Sequence, residues 1–163
     1  RYYNPIYLIF FKNYKQELYL IDAISKKDFV AIEQNRNKLA EISKNDIKSL
    51  DTLKGFQGNN SLTKSLKQLL SFYNDEANKV TIITDFYLKK ENFDKIKAAI
   101  DSKREAERTK EDIDQYNQAV KEFNNMVGEY NKTNKELNDN RYRLINDWNS
   151  NVSTFFDRYV PKK

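Results

Sequence analysis

Residues that interrupt helices are scarce in this chain, which has three glycines and two prolines among its 163 residues. Apolar residues at helical spacing can therefore continue for many turns before the chain must break. Lys, Asn, Asp, Glu and Leu are abundant, and this balance favours helices over sheets. Ten Phe and eleven Tyr supply the apolar area that disordered chains lack. The sequence therefore predicts an all-α protein, folded as a single domain over residues 1–163.

Apolar periodicity divides the chain into four main helices, at about residues 4–25, 28–54, 61–89 and 110–159. A short helical piece is expected near residues 92–105. Gly55 and Gly58 fall in the clearest loop, between the second and third helices. Short connections between successive helices predict an elongated antiparallel up-and-down bundle.

Two stretches leave the number of helices open. Residues 4–54 keep their apolar side chains on one face, so they form two helices that meet near 25–28, one helix sharply kinked at 25–28, or one continuous helix. A continuous helix there would give three kinked rods of about 50 residues instead of four helices. At 89–92 the apolar face changes sides, and we expect a kink or a turn there.

The predicted C-terminal helix carries a seven-residue repeat of apolar side chains, at Tyr116, Phe123, Tyr130, Leu137 and Leu144. Such a repeat predicts left-handed supercoiling against neighbouring helices. An asparagine follows each of the first four, which gives a ladder at Asn117, Asn124, Asn131 and Asn138. This ladder is either a polar recognition stripe or ordinary flanking surface.

Aromatic residues crowd the start of the first helix, at Tyr2, Tyr3, Tyr7, Phe10 and Phe11. They surround most of the helix, so one neighbouring helix cannot cover them all. The cluster is either a partner surface or a helix covered on several sides. The candidate partner surface therefore comprises these aromatic and asparagine side chains: Tyr2, Tyr3, Tyr7, Phe11, Asn117, Asn124, Asn131 and Asn138.

The chain has no histidine and no cysteine, so disulfides, thiolate nucleophiles and imidazole chemistry are absent. Di-iron bundle sites and His-ligated haem cannot be built, and no catalytic, cofactor-binding or metal site is predicted. The acidic cluster Glu111, Asp112 and Asp114 is accounted for by the positive end of a helix. The net charge is +5, but the basic residues are interspersed with acidic ones and do not form the unopposed basic stripe that binds nucleic acid. We therefore expect no enzymatic activity, no cofactor and no nucleic-acid partner.

Part of the sequence resembles bacterial helical surface lipoproteins of the kind found in spirochaetes and Bacteroidetes. The resemblance spans roughly residues 28–88 and is carried by Asp28-Phe29, Arg36, Leu53-Lys54-Gly55-Phe56-Gln57-Gly58-Asn59-Asn60-Ser61-Leu62 and Ser71-Phe72-Tyr73. It implies an exported, lipid-anchored helical protein of unknown function, with no family active site. The first residue is Arg1 rather than Met, which is compatible with a removed leader, and the resemblance implies a signal peptide and a lipidated cysteine upstream of Arg1.

Three hypotheses for function follow. The first is a non-enzymatic extracytoplasmic module at the cell envelope, periplasmic or on the outer surface, with a structural or binding role toward an unknown protein or envelope ligand. Its membrane attachment would be a lipid upstream of Arg1, because the apolar run at residues 6–11 is far shorter than the ~20 residues that span a bilayer. The second is an intracellular coiled-coil adaptor that pairs through the heptad face of the C-terminal helix. A distant third is a carboxylate-based hydrolase. The sequence predicts no oligomeric state.

Overall fold

The computed structural model describes residues 2–161, and the regular structure in that range is helical. It comprises four α-helices and one 3₁₀ helix: α1 Tyr3–Lys26, α2 Phe29–Asp51, α3 Ser61–Asp101, the 3₁₀ helix Glu105–Glu107 and α4 Lys110–Tyr159. The all-α fold class and the four main helices predicted from the sequence are confirmed.

The described residues divide into two compact units. The first unit, residues 2–79 and 137–161, contains α1, α2, the beginning of α3 and the end of α4. The second unit, Val80–Glu136, contains the rest of α3 and α4 and the connection between them. The expectation of a single domain stays a prediction.

The chain reverses between α1 and α2 through two residues. Lys27 adopts a left-handed conformation with φ of 54°, and the backbone N–H groups of Lys27 and Asp28 donate to the last carbonyls of α1. The Asp28 side chain then accepts a hydrogen bond from the Ala31 N–H at 3.0 Å and caps α2. Residues 4–54 are therefore two helices, and the alternative of three rods is wrong.

The predicted loop after α2 is confirmed and folds as a tight turn. Phe56 and Asn59 exchange backbone hydrogen bonds of 3.1 and 2.9 Å across Gln57 and Gly58, which both have positive φ. Gly55 has no room for a side chain, since a Cβ atom there would lie 2.8 Å from the carbonyl oxygen of Asn59. The Phe56 ring packs edge-on against Phe155 and Tyr159, so the loop is anchored to the end of α4.

The kink or turn expected at 89–92 is absent, because α3 is one helix from Ser61 to Asp101. The separate helical piece predicted near 92–105 is part of α3 as far as Asp101. The apolar face changes sides because two sets of residues serve different neighbours. Leu62, Leu66, Leu69, Tyr73 and Ala77 are buried in the first unit. In the second unit Phe86 and Phe93, seven residues apart, face α4. A change of packing partners, without any break in the helix, therefore accounts for the lost periodicity.

The second unit is an antiparallel pair of helices held by stacked aromatic rings. Phe86 stacks on Tyr130 at 4.1 Å between ring centroids, and Phe93 stacks on Phe123 at 4.7 Å. At the start of α4, Asp112 Oδ2 accepts from the Thr109 N–H at 2.9 Å, and Thr109 Oγ1 accepts from the Asp112 N–H at 3.1 Å. Lys103 and this cap lower the pKa of Asp112 to about 2. The stacked rings show that Phe123 and Tyr130, two of the heptad residues of α4, face α3 of the same chain.

In the first unit α1 lies antiparallel to both α2 and α4. Gln16 donates to the Asn35 side chain at 2.8 Å and Asn13 donates to Asp46 at 2.6 Å, which joins α1 to α2. The inward line of α1 is formed by fully or nearly fully buried residues: Ile6, Asn13, Glu17, Leu20 and Ala23. Leu18 lies outside this line and is 38% exposed, although its helical spacing from Ile6 predicts that it belongs to the apolar face.

Candidate functional site

Three charged side chains meet inside the first unit, one from each of three helices. Glu17 of α1 is 0% exposed and Glu76 of α3 is 1% exposed. Arg141 of α4 reaches both carboxylates and leaves 20% of its side chain accessible. Each carboxylate lies among buried apolar residues one helical turn away, so it projects into the core. The Tyr73 hydroxyl, one helical turn before Glu76 on α3, is buried beside them. We call Glu17, Tyr73, Glu76 and Arg141 the buried ionic cluster.

The guanidinium group of Arg141 is the centre of this cluster. Its Nε donates to Glu17 Oε1 at 2.6 Å, and one terminal nitrogen donates to Glu76 Oε1. The other terminal nitrogen donates to the Asn138 side-chain oxygen at 2.6 Å, one helical turn before Arg141 on α4. The planar fork of an arginine suits this arrangement, because its donors point in fixed directions toward several acceptors.

Charge in the cluster is unbalanced unless a proton is bound, since two carboxylates share one guanidinium. The second carboxylate oxygen of Glu17, that of Glu76 and the Tyr73 hydroxyl are buried together, with no hydrogen-bond partner outside the cluster. Burial and the neighbouring Glu17 carboxylate raise the pKa of Glu76 to about 8. Burial, followed by the charge of Glu17, also raises the pKa of Tyr73. The pair of Glu17 and Glu76 therefore tends to hold one proton near neutral pH, which offsets the excess negative charge of the cluster.

The position of the cluster limits the chemistry available to it. A raised carboxylate pKa beside a second carboxylate is the pattern used for acid–base catalysis. Here neither glutamate presents surface to solvent, so a substrate cannot contact them in this conformation. What the cluster does provide is a fixed geometry among three helices, since α1, α3 and α4 must hold one register for Arg141 to reach both partners. We interpret it as the element that positions α1.

The outer side of α1 is apolar and open to solvent. Leu8 is 64% exposed, Tyr19 54%, Phe11 45%, Tyr7 39% and Leu18 38%, and Lys15 lies between them. Aromatic rings connect this side to the core. Tyr7 contacts both Phe11 and Phe10, and Phe10 in turn stacks on the buried Trp148. We call Tyr7, Leu8, Phe11, Lys15, Leu18 and Tyr19 the outer stripe. Grouped apolar side chains of this kind mark interaction surfaces more often than isolated ones do.

The predicted aromatic surface residues separate into two groups. Tyr7 and Phe11 are exposed and belong to the outer stripe. Tyr3 is half-buried, with its ring 4.8 Å from that of Phe156. Tyr2 turns toward the loop and the end of α4, with its ring 5.4 Å from Phe56, and its hydroxyl is buried.

The asparagine ladder is exposed along its whole length. Asn117, Asn124 and Asn131 lie on the second unit, whereas Asn138 belongs to the first. Asn138 has a structural contact of its own, since it accepts a hydrogen bond from Arg141. The ladder therefore includes one residue that supports the buried ionic cluster, and its role as a recognition stripe stays a prediction.

Sequence reasoning missed the buried ionic cluster and four of the six residues of the outer stripe, Leu8, Lys15, Leu18 and Tyr19. The available signal was a charged residue inside an apolar face: Glu17 precedes Leu20 by three residues, and Arg141 follows Leu137 by four. Such a residue is either buried with a partner or evidence against the assumed face. Leu8 and Tyr19 were also visible in the sequence, because they are apolar residues outside the helical face that begins at Ile6.

Comparison of the chain with protein-family models, curated proteins and solved structures gave no match. Between residues 2 and 161 no helix has an apolar stretch long enough to cross a bilayer. The same residues contain no group of three or more acidic side chains placed to bind a metal ion. The assignment of function therefore depends on the geometry of the two features described above.

Proposed function

We propose that this chain is the non-enzymatic binding module of an extracytoplasmic, lipid-anchored protein, and that it contacts its partner through the outer stripe of α1. The observation that carries the binding role is the exposure of five large apolar side chains along one side of α1. The envelope location is supported by the resemblance of residues 28–88 to surface lipoproteins. A helix presenting apolar side chains at successive turns is a common way for one helical surface to recognise another.

The buried ionic cluster supports this proposal through its effect on α1. An interaction surface binds more tightly when its side chains are held in place before the partner arrives, because less conformational entropy is lost. Arg141 fixes α1 to α3 and α4 through Glu17 and Glu76. The link from Asn13 and Lys12 to Asp46 fixes α1 to α2. The outer stripe is thereby presented on a rigid helix.

The competing hypothesis of a coiled-coil adaptor meets an obstacle in the packing of α4. Tyr116 and Phe123 face Phe93, and Tyr130 faces Phe86. Leu137 and Leu144 are 3% and 7% exposed. Pairing with another protein through this heptad face would require α3 and α4 to separate, whereas the outer stripe is open as the chain stands.

The binding role is tested by placing a photo-crosslinking amino acid at position 8 and expressing the full-length protein in its source cells. We expect illumination to give discrete covalent products from position 8. Position 30 is the matched control, because Val30 is 69% exposed on α2 and lies outside the outer stripe. Equal yields from positions 8 and 30, or no product from either, would overturn the proposed binding surface.

The location is tested separately by mass spectrometry of the native protein from fractionated source cells. A lipidated cysteine upstream of Arg1 in the membrane fraction is the expected result. An unprocessed protein in the cytosolic fraction would contradict the extracytoplasmic assignment and leave the outer stripe as a binding surface in another compartment.

A further inference from the structure

The spacing of residues along the outer stripe is symmetric about its middle. Leu8, Phe11, Lys15 and Leu18 follow one another at spacings of three, four and three residues, with Asn4 one turn before them and Asp22 one turn after. These spacings are those of the a and d positions of a coiled coil. Of the four central positions, the first and last are leucines, and the two between them are Phe11 and Lys15. The polar residues Asn4 and Asp22 lie beyond the leucines.

We infer that the outer stripe binds the outer stripe of a second copy of this chain, with the two α1 helices antiparallel about a two-fold axis near residue 13. This inference rests on the proposed function, because it names the partner of the same surface. A two-fold interface requires one patch that is complementary to itself. Antiparallel pairing places Leu8 of one chain against Leu18 of the other, and Phe11 against Lys15.

Charge selects the antiparallel arrangement over the parallel one. In a parallel pair Lys15 would face Lys15, and like charges at such positions repel, whereas the Asp22 carboxylate is offset by Lys26, whose ammonium nitrogen lies 2.7 Å away. In the antiparallel pair Lys15 faces an aromatic ring and Asp22 faces the Asn4 amide, which can donate a hydrogen bond. Lys15 already makes a contact of this type within α1, where its ammonium nitrogen lies 5.5 Å from the centre of the Tyr19 ring.

The size of the stripe sets the expected strength of the pair. From residue 4 to residue 22 a helix extends about 27 Å. With a helix diameter of about 10–12 Å, the contact of two such faces is smaller than the roughly 800 Å² per partner of a standard interface. We therefore expect a dimer that dissociates on dilution.

Orientation is tested by disulfide trapping, since the sequence has no cysteine of its own. Two single variants, Leu8→Cys and Leu18→Cys, are oxidised by dissolved oxygen with a copper–phenanthroline catalyst, separately and as a mixture. Antiparallel pairing predicts a covalent dimer in the mixture and little in either variant alone. Positions 8 and 18 are about 15 Å apart along a helix, whereas the two Cα atoms of a disulfide are within about 7 Å. Covalent dimers from Leu8→Cys alone and from Leu18→Cys alone, with no mixed product, would overturn the antiparallel arrangement.

Self-association itself is tested by analytical ultracentrifugation of the full chain. We expect the mass to rise from 19.4 kDa toward twice that value with increasing concentration. Leu8→Glu should weaken self-association at least about tenfold, whereas Val30→Glu, which adds the same charge at an exposed aliphatic site, should not change it. Far-UV circular dichroism verifies that both variants are folded.

The outcomes distinguish this inference from the proposed function. A monomer at every concentration, without a mixed disulfide, overturns self-pairing. If position 8 then crosslinks to a different protein, the proposed binding function stands and its partner is not a second copy. Sedimentation of the monomer with anionic lipid vesicles, lost in Leu8→Glu, would likewise overturn self-pairing in favour of a membrane surface. Failure of position 8 to crosslink above position 30 overturns the proposed function itself.

Discussion

At the scale of single residues, the most consequential feature is the sharing of Arg141 by two buried carboxylates. Taking a charge out of water is costly, and this cost is offset only where partners and hydrogen bonds replace the water. Arg141 replaces water for one oxygen of Glu17 and one of Glu76, while their other oxygens have no partner outside the cluster. A bound proton removes the excess negative charge, so the stability of the first unit should depend on pH through this site.

Glu76→Gln should flatten that pH dependence. Because burial and Glu17 raise the pKa of Glu76 from 4.5 to about 8, the folded state holds a proton that the unfolded state releases between these values. The stabilising effect is complete below pH 4.5 and is lost as the pH rises through 8, at up to about 1.4 kcal/mol per pH unit. The neutral amide has no such proton to lose, so the variant should gain free energy of unfolding relative to the wild type between pH 5 and 8.

Urea unfolding of both proteins at several pH values provides the measurement. Glu129→Gln, at an exposed glutamate, is the control and should follow the wild-type curve. A constant difference between Glu76→Gln and wild type over this range would show that Glu76 is ionised throughout.

Arg141→Leu should destabilise the first unit strongly. It leaves Glu17 and Glu76 without a cation in a buried site, and breaking such a pair typically costs about 3–5 kcal/mol. Arg143→Leu is a matched control two residues later, because the Arg143 side chain is 60% exposed and its ion pair with Asp147 is long at 3.6 Å. We expect that control to change the free energy of unfolding by less than about 0.5 kcal/mol. Similar losses for the two variants, measured by urea unfolding, would contradict a special role for Arg141.

At the scale of helices, the sequence predicted where α1, α2 and α4 lie because their ends carry local signals. Asp28 is a capping residue and Gly55 with Gly58 marks a loop, so these boundaries were readable from neighbouring residues. The continuity of α3 through 89–92 was not readable in the same way. It depends on Phe86 and Phe93 having α4 as their partner, and a pattern measured along one helix does not show which neighbour each face meets.

The turn between α1 and α2 gives a prediction at this scale. Lys27 holds a positive φ of 54°, which is strained for a residue with a Cβ atom but not for glycine. Lys27→Gly should therefore raise the free energy of unfolding by up to about 1 kcal/mol. Lys26→Gly, at the last residue of α1, should instead lower it by less than about 1 kcal/mol, because glycine weakens a helix and the ion pair with Asp22 is lost. If both changes destabilise the protein in thermal unfolding, strain at Lys27 is not significant.

The candidate site was predictable only in part, because a pattern along one helix does not show which neighbour each of its faces meets. Tyr7 and Phe11 could be selected because aromatic residues surround the start of α1. Tyr2 and Leu18 show the limit of that reasoning: one faces the loop and the other faces solvent, and helical spacing alone does not show where the other three helices lie around α1. The buried ionic cluster joins residues up to 124 positions apart, so no local pattern could have paired them.

At the scale of the whole molecule, the two units differ in what holds them together. The first unit combines a core of aliphatic side chains with buried polar contacts that join α1 to α2 directly and, through Arg141, to α4 and α3. The second unit has one pair of helices and is held mainly by half-buried aromatic rings. Less burial per residue means a lower free energy of local opening, so we expect faster amide hydrogen exchange in residues 80–136 than in α1. Equal protection of both units would contradict this expectation.

The stacking of Phe10 on Trp148, at 5.0 Å between ring centroids, provides an optical reporter. Trp148 is the single tryptophan of the chain and is 2% exposed in the first unit. Its emission will therefore report on loosening of that unit, whereas ellipticity at 222 nm reports on the helices of both units. Following the two signals together during unfolding of one unlabelled sample would reveal whether the protein melts in one step or two.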